Sequence, residues 1–182
     1  MQVINKAALF AQHPAVNSGR AEGAVPFPVK NWQKIIILDD DPTGTQTVRN
    51  IPVLTEWNVA ALEKEMLSLT PAFYLLTNTR AYPVEQAIAI NREIGEMIKE
   101  VSRRTGIQPV VVSRSDSTLR GHFPAEVIAL EDALGGNFDG TILLPFFEEG
   151  GRYTLDDIHY VQSGEDLVPA AMTPFAKDSV FG

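Results

Sequence analysis

Three polar clusters combine carboxylates, guanidinium groups and hydroxyls at spacings that could do chemistry: LDDDPTGTQT (38–47), TNTRAY (77–82) and SRSDSTLRGH (113–122). In the first, Asp39, Asp40 and Asp41 are adjacent. Neighbouring carboxylates repel one another, so at least one needs a cation, a hydrogen bond or a raised pKa to offset it. Such a carboxylate can accept a proton from a hydroxyl or hydrogen-bond a polyol. The plainer alternative is an Asp-rich turn that caps the next segment. Thr43, Gly44 and Thr45 add hydroxyls and a close backbone approach, but the spacing and the lysine of a phosphate-binding P-loop are missing.

The second cluster offers Asn78, Thr79 and Arg80: an amide, a hydroxyl or helix cap, and a planar cation matched to a carboxylate. The third is the densest. Arg114 and Arg120 flank Asp116, Ser117 and Thr118, just before a helix expected to start near Pro124. Helix N-termini favour anions, and a short dihydroxy acid would find arginine for its carboxylate and Asp, Ser and Thr for its hydroxyls. The alternative for Asp116 is an internal ion pair with Arg114 or Arg120. His122 is read as structural.

The elements that would position these clusters alternate between strand and helix. Lys34–Leu38, Ala72–Thr77 and Pro109–Ser113 are short apolar runs of the kind buried in a parallel sheet, and each leads into one cluster. A shorter strand is expected at Ile51–Thr55, and another at Gly140–Leu144. Helices are expected at Val59–Leu69, at 84–104 with Gly106 as its stop, and from Pro124 to Gly135 and Gly136. This alternation predicts an α/β fold, a mostly parallel sheet with helices on both faces in a three-layer, Rossmann-like arrangement. Ligands of open parallel sheets bind beyond the carboxyl ends of the strands, where all three clusters fall. The first thirty residues read as irregular, with 17–30 a loop. Residues 145–182 read as a tail with one weak strand at His159–Val161.

Composition excludes several classes. Apolar residues are 45% and charged residues 21%, normal for a globular chain. A net charge of −8 argues against a nucleic-acid partner. With no cysteine there are no disulfides or thiolate metal sites, and His13, His122 and His159 lack a zinc-ligand spacing. No stretch has the length of a membrane span and the N-terminus is a poor signal peptide, so no membrane partner and a cytoplasmic location are expected.

DDPTGT (40–45), NTR (78–80) and RSDSTLRG (114–121) resemble the signature segments of the four-carbon acid sugar kinase family. The resemblance continues through LPFFEEGGRYT (144–154), GEDLVP and TPFAKDSVFG, and so spans roughly residues 34–182. LDDDPTGTQTV followed by VLTEW (53–57) is similar to a longer-chain subgroup often labelled type III effector. The resemblance implies a two-domain enzyme that phosphorylates an erythronate- or threonate-like acid with ATP and Mg²⁺. Its N-terminal domain would bind the acid and its C-terminal domain the nucleotide. Position by position it implies Asp40 and Asp41 as catalytic residues. It implies Thr43, Gly44, Asn78, Arg80, Arg114, Asp116, Ser117, Thr118, Arg120, Gly151 and Arg152 as substrate-binding residues, and no metal ligand. Arg114 stands where the family has lysine, which keeps the charge and changes its geometry.

The expected organisation is an irregular segment 1–33 and a sugar-acid-binding domain 34–182, incomplete at its C-terminal end. The resemblance implies a nucleotide-binding domain as its missing partner, and ATP and Mg²⁺ are not expected to bind tightly to this part alone. An apolar face left by that partner would favour a homo-oligomer. Two other classes fit the same residues: a non-catalytic acid-binding module or effector, and a metal-dependent hydrolase on Asp39–Asp41, which would need further ligands.

Overall fold

The structure is a computed structural model, and it describes residues 2–12, 33–45, 48–116, 118, 120–136 and 138–177. The elements in chain order begin with β1 (Ile4–Asn5), α1 (Lys6–Gln12), β2 (Ile35–Asp39), β3 (Val53–Leu54), α2 (Val59–Leu67) and β4 (Ala72–Leu76). They continue with α3 (Val84–Thr105), β5 (Val110–Arg114), α4 (Ala125–Leu134), β6 (Arg152–Leu155), β7 (Ile158–Ser163) and β8 (Asp166–Pro169). These form two compact units, one from the described residues between 33 and 143, the other from those up to 12 and from 144 onward.

The first unit is α/β, as the strand–helix alternation requires. Its sheet runs β3-β4-β2-β5 with every pairing parallel. Alternate strand residues Ile36, Leu38, Phe73 and Leu75 are buried in one cluster with Leu62 and Met66 of α2, Ile94, Ile98 and Val101 of α3, and Leu130 of α4. The intervening positions Ile35, Ile37 and Tyr74 are half-buried, while Val110 and Val112 are exposed. Helix ends follow local chemistry. The Asn58 side chain caps α2 by accepting from the Ala61 N–H at 2.9 Å, and Gly106 closes α3 in the left-handed conformation at φ 73°. Gly95 lets α3 and α4 approach closely, because a Cβ there would lie 2.6 Å from the Ala133 Cβ. Lys34 is buried ahead of β2, where its ammonium donates to the Ser68 carbonyl at 2.8 Å and to the Thr70 carbonyl. Burial lowers its pKa.

The register fixes the functional edge. Asp39 pairs with Leu76 on one side and Arg114 on the other, so three strands end level and deliver their loops to one place.

The second unit is antiparallel, in the order β1-β8-β7-β6, with a core of Tyr153, Tyr160 and Leu167 joined by Ile4, Leu9, Leu155 and Ile158. Lys6 of α1 lies over the Tyr153 ring at 4.9 Å. Here the sequence reading needs correcting twice. The tail is a three-stranded meander through Pro169, and the irregular start contains β1 and α1. The hairpin signals were weak: Asp156 and Asp157 both take positive φ in a two-residue turn where Asn-Gly is usual. Gly164 at φ 61° makes the next one. The loop expected at 17–30 lies outside the described residues.

A third correction concerns Gly140–Leu144, which forms no strand. Ile142, Leu143 and Leu144 are 84%, 57% and 80% exposed, so this apolar run has the composition of a strand without a ladder partner. The strand expected at Ile51–Thr55 shrinks to Val53–Leu54. Among the described residues no helix is long and apolar enough to cross a membrane.

Candidate functional site

The carboxyl edge of the parallel sheet is stitched together by backbone bonds between its loops. The Asp39 carbonyl accepts from the Thr77 N–H at 2.9 Å and the Thr77 hydroxyl at 3.0 Å. The Asp40 N–H donates to the Arg114 carbonyl at 3.3 Å, and the Arg80 N–H to the Asp40 carbonyl at 3.3 Å. Single 3-10 turns then carry Pro42–Thr45 and Thr79–Ala81 over the edge. Asn78 bridges into the second turn with left-handed φ of 54°, a conformation asparagine tolerates.

On this frame aspartates and arginines interlock. Arg80 gives Nε and Nη2 to the two oxygens of Asp40, at 3.2 and 2.8 Å, and Nη1 to Asp41 at 3.0 Å. It also lies 3.6 Å from Asp116. Arg120 makes its own two-pronged bond to Asp116, at 2.8 and 3.1 Å. Arg114 donates from Nη1 to Asp39 at 2.9 Å. The three adjacent carboxylates that the sequence left needing cations thus receive them from the two other clusters. Asp116 takes Arg120, one of the two partners open to it.

The four aspartates differ in protonation energetics. Burial pushes Asp39 up, against the pull of Arg114, and it pushes Asp40 up, against the bonds and charge of Arg80. Burial also acts on Asp41, but the Thr43 hydroxyl and N–H and the Arg80 charge outweigh it and hold Asp41 below the usual range. Asp116 follows the same logic: burial is outweighed by bonds from Arg120 and the Thr118 hydroxyl, and its carboxyl is held well below the usual range. Asp41 is therefore an ionised carboxylate at the edge, whereas Asp40 is only 4% exposed and committed to Arg80 and to the Ser115 hydroxyl at 3.2 Å.

A cleft of about 360 Å³ opens here, lined by Asp41, Thr43, Asn78, Arg80, Ala81, Asp116 and Arg120. Tertiary structure thus brings together residues of all three clusters. Compared with known protein families, residues 35–182 match the family described as "Sugar-binding N-terminal domain". The chain belongs to that family. The match agrees with the resemblance to the N-terminal domain of four-carbon acid sugar kinases and carries no effector label. None of the curated proteins matches the chain.

Within this sugar-binding domain the remaining expected residues fall as follows. Gly44 packs on the Asp39–Arg114 pair, where a Cβ would meet the carboxylate and the guanidinium. Thr118 is buried and bonded to Asp116. Ser117 lies outside the described residues. Gly151 and Arg152 belong to the antiparallel unit. Gly151 takes φ 69° and a Cβ on it would lie 2.9 Å from the Gln162 Cβ, which is a structural reason for glycine. Arg152 Nη1 donates to the Gly150 carbonyl, and its Nε is buried without a hydrogen-bond partner among the described residues. Thr79 is fully buried against the Thr77 hydroxyl at 3.1 Å and serves the turn. His122 Nε2 lies 2.8 Å from the Tyr82 carbonyl. Asp39 and Ser115 lie inside the first and third clusters, but sequence reasoning gave neither a substrate-binding role. Their partners, Arg114 and Asp40, are 75 residues away along the chain, so the sequence held no local signal for these bonds.

Alternating carboxylates and guanidinium groups present acceptors and donors a short distance apart, which suits vicinal hydroxyls. Among the described residues no group of three His, Cys, Asp or Glu could hold a metal ion.

Proposed function

We propose that this sugar-binding domain binds a four-carbon sugar acid, erythronate- or threonate-like, as the substrate half of an ATP-dependent kinase. The observation that carries this reading is the cleft at the ends of β2, β4 and β5, where Asp41, Asn78, Arg80, Asp116 and Arg120 converge. Asp41 accepts a hydrogen bond from the reacting hydroxyl. A carboxylate held below its ordinary range is a weak base, so Asp41 orients the hydroxyl and takes its proton late, as the oxygen bonds to its electrophile. Arg80 keeps Asp40 and Asp41 apart and fixed in one geometry. Asn78 and Asp116 bind the other hydroxyls. We assign ATP and Mg²⁺ to a separate nucleotide-binding domain, because Asp39, Asp40, Asp41 and Asp116 are each engaged by an arginine. On this reading they belong to a nucleotide-binding partner, and phosphoryl transfer depends on that partner for much of its positioning and charge neutralisation.

Thermal-shift measurements on the chain with erythronate, threonate, and ATP with Mg²⁺ test the proposal. One acid is expected to raise the melting temperature, and Asp41→Asn to weaken that acid about tenfold by removing a charged acceptor. Stabilisation by ATP or Mg²⁺ alone, with no response to any acid, would overturn it.

A further inference from the structure

We propose that the open edge of the parallel sheet at β5 is a strand-docking surface, and that the chain's own segment Thr141–Leu143 occupies it as a fifth strand. The inference stands independently of the sugar-acid reading.

β5 ends the strand order, and its outer side has no ladder partner among the described residues. On the inner side the Val110 N–H donates to the Lys34 carbonyl at 2.8 Å. In a parallel ladder both backbone groups of a residue point the same way, and successive residues alternate. Val111 and Ser113 therefore turn their N–H and C=O groups outward. Free edges are usually blunted by charge or proline, and Val110, Val111, Val112 and Ser113 offer neither. A cavity of about 580 Å³ reaches Val111, with Ile98, Ser102, Pro109, Leu134 and Phe138 also in its walls. Its apolar lining suits inward side chains of one more strand.

The direction of the chain selects the occupant. From β3 to β4, and from β4 to β5, the chain advances one way across the sheet, through α2 and then α3. Both helices pack on the face that carries Ile36, Leu38, Phe73 and Leu75. Crossovers between parallel strands are right-handed, so steps in one direction place their helices on one face. α4 packs on that same face through Leu130. The strand after α4 is therefore directed one step further the same way, onto the open edge of β5. The next apolar run is Thr141–Leu143, reached from Leu134 by residues 135–140, an ordinary length for a helix-to-strand connection. Ile142 and Leu143 are exposed in the undocked arrangement. Docking pairs the outward backbone groups of β5 and takes these side chains out of water.

Hydrogen exchange of the full chain, resolved to single amides, tests this. The Val111 and Ser113 amides are expected to exchange at least about tenfold more slowly than unpaired amides. Leu143→Pro, which cannot continue a ladder, should return them to fast exchange while the Ile36 and Leu75 amides stay protected and report an intact core. Where that variant does not fold, cysteine pairing decides, since the chain has no cysteine of its own. Val112→Cys is combined in turn with Ile142→Cys and with Leu143→Cys. Side chains alternate along a strand, so one of the two pairs should oxidise to an intramolecular disulfide. Fast exchange at Val111 and Ser113 in the unaltered chain overturns the inference, as does failure of both cysteine pairs. Protection that survives Leu143→Pro overturns it as well, by giving the edge to another occupant. Protection seen only at concentrations where the chain sediments as a dimer assigns the edge to a second copy, and equally overturns it.

Discussion

Arg80 is the residue on which the local charge balance turns. It is 11% exposed and faces an Asp40 that is 4% exposed, so both ions have left most of their water. Removing one partner of such a pair leaves an uncompensated buried charge, an effect of roughly 3–5 kcal/mol. Arg80→Ala should therefore lower the unfolding free energy by an amount in that range. Arg80→Lys should lose less, because it keeps the charge and gives up the two-pronged geometry. Urea unfolding of both variants measures this; equal stability of Arg80→Ala and the unaltered chain would refute the balance described. Residue types alone showed that three adjacent aspartates needed cations. They did not show which cations, because Arg80 and Arg114 reach them only through the level ends of β2, β4 and β5.

At the scale of elements, β2, β4, β5, α2, α3 and α4 were legible within one to two residues, because apolar period and capping residues agree there. Gly106 and Gly135 stop their helices in left-handed geometry, as their positions after the last apolar residue imply. Gly95 was not legible. In the interior of α3 it looks like a weakness, and replacing it with alanine should raise helix propensity by about 1 kcal/mol. The α3–α4 contact reverses that sign: the new methyl would sit 2.6 Å from the Ala133 Cβ and 3.4 Å from the Leu130 Cδ1. Gly95→Ala is expected to cost a net 1–3 kcal/mol, by roughly the usual penalty of overpacking. A raised melting temperature in that variant would show that the two helices separate more easily than their packing implies. The antiparallel meander escaped the reading for a related reason, since Asp-Asp turns disguise hairpins that only cross-strand pairing reveals.

At the scale of the molecule, 23 acidic side chains face 15 basic ones, and acid should act unevenly on the site. Asp116 is held well below its ordinary value of 3.8, so the stability it contributes is present above that pH and is lost as pH falls below it. Asp39 and Asp40 are raised, so their protonation on acidification works in the opposite direction. Asp116→Asn should be less stable than the unaltered chain near neutral pH, and the gap should narrow as pH drops below about 3.8. Paired denaturant titrations across that range would show it; a gap independent of pH would mean that the ion pair with Arg120 is not what Asp116 contributes. By itself the sequence determined the α/β class, the three strand-end clusters and their polar chemistry, because hydrophobic period and residue type are local properties. Tertiary structure decided which arginine meets which aspartate and which carboxylate faces the cleft. It also decided that Asp39 and Gly44 carry Arg114. Those outcomes depend on parallel register and burial, and both are set by residues far apart in the chain.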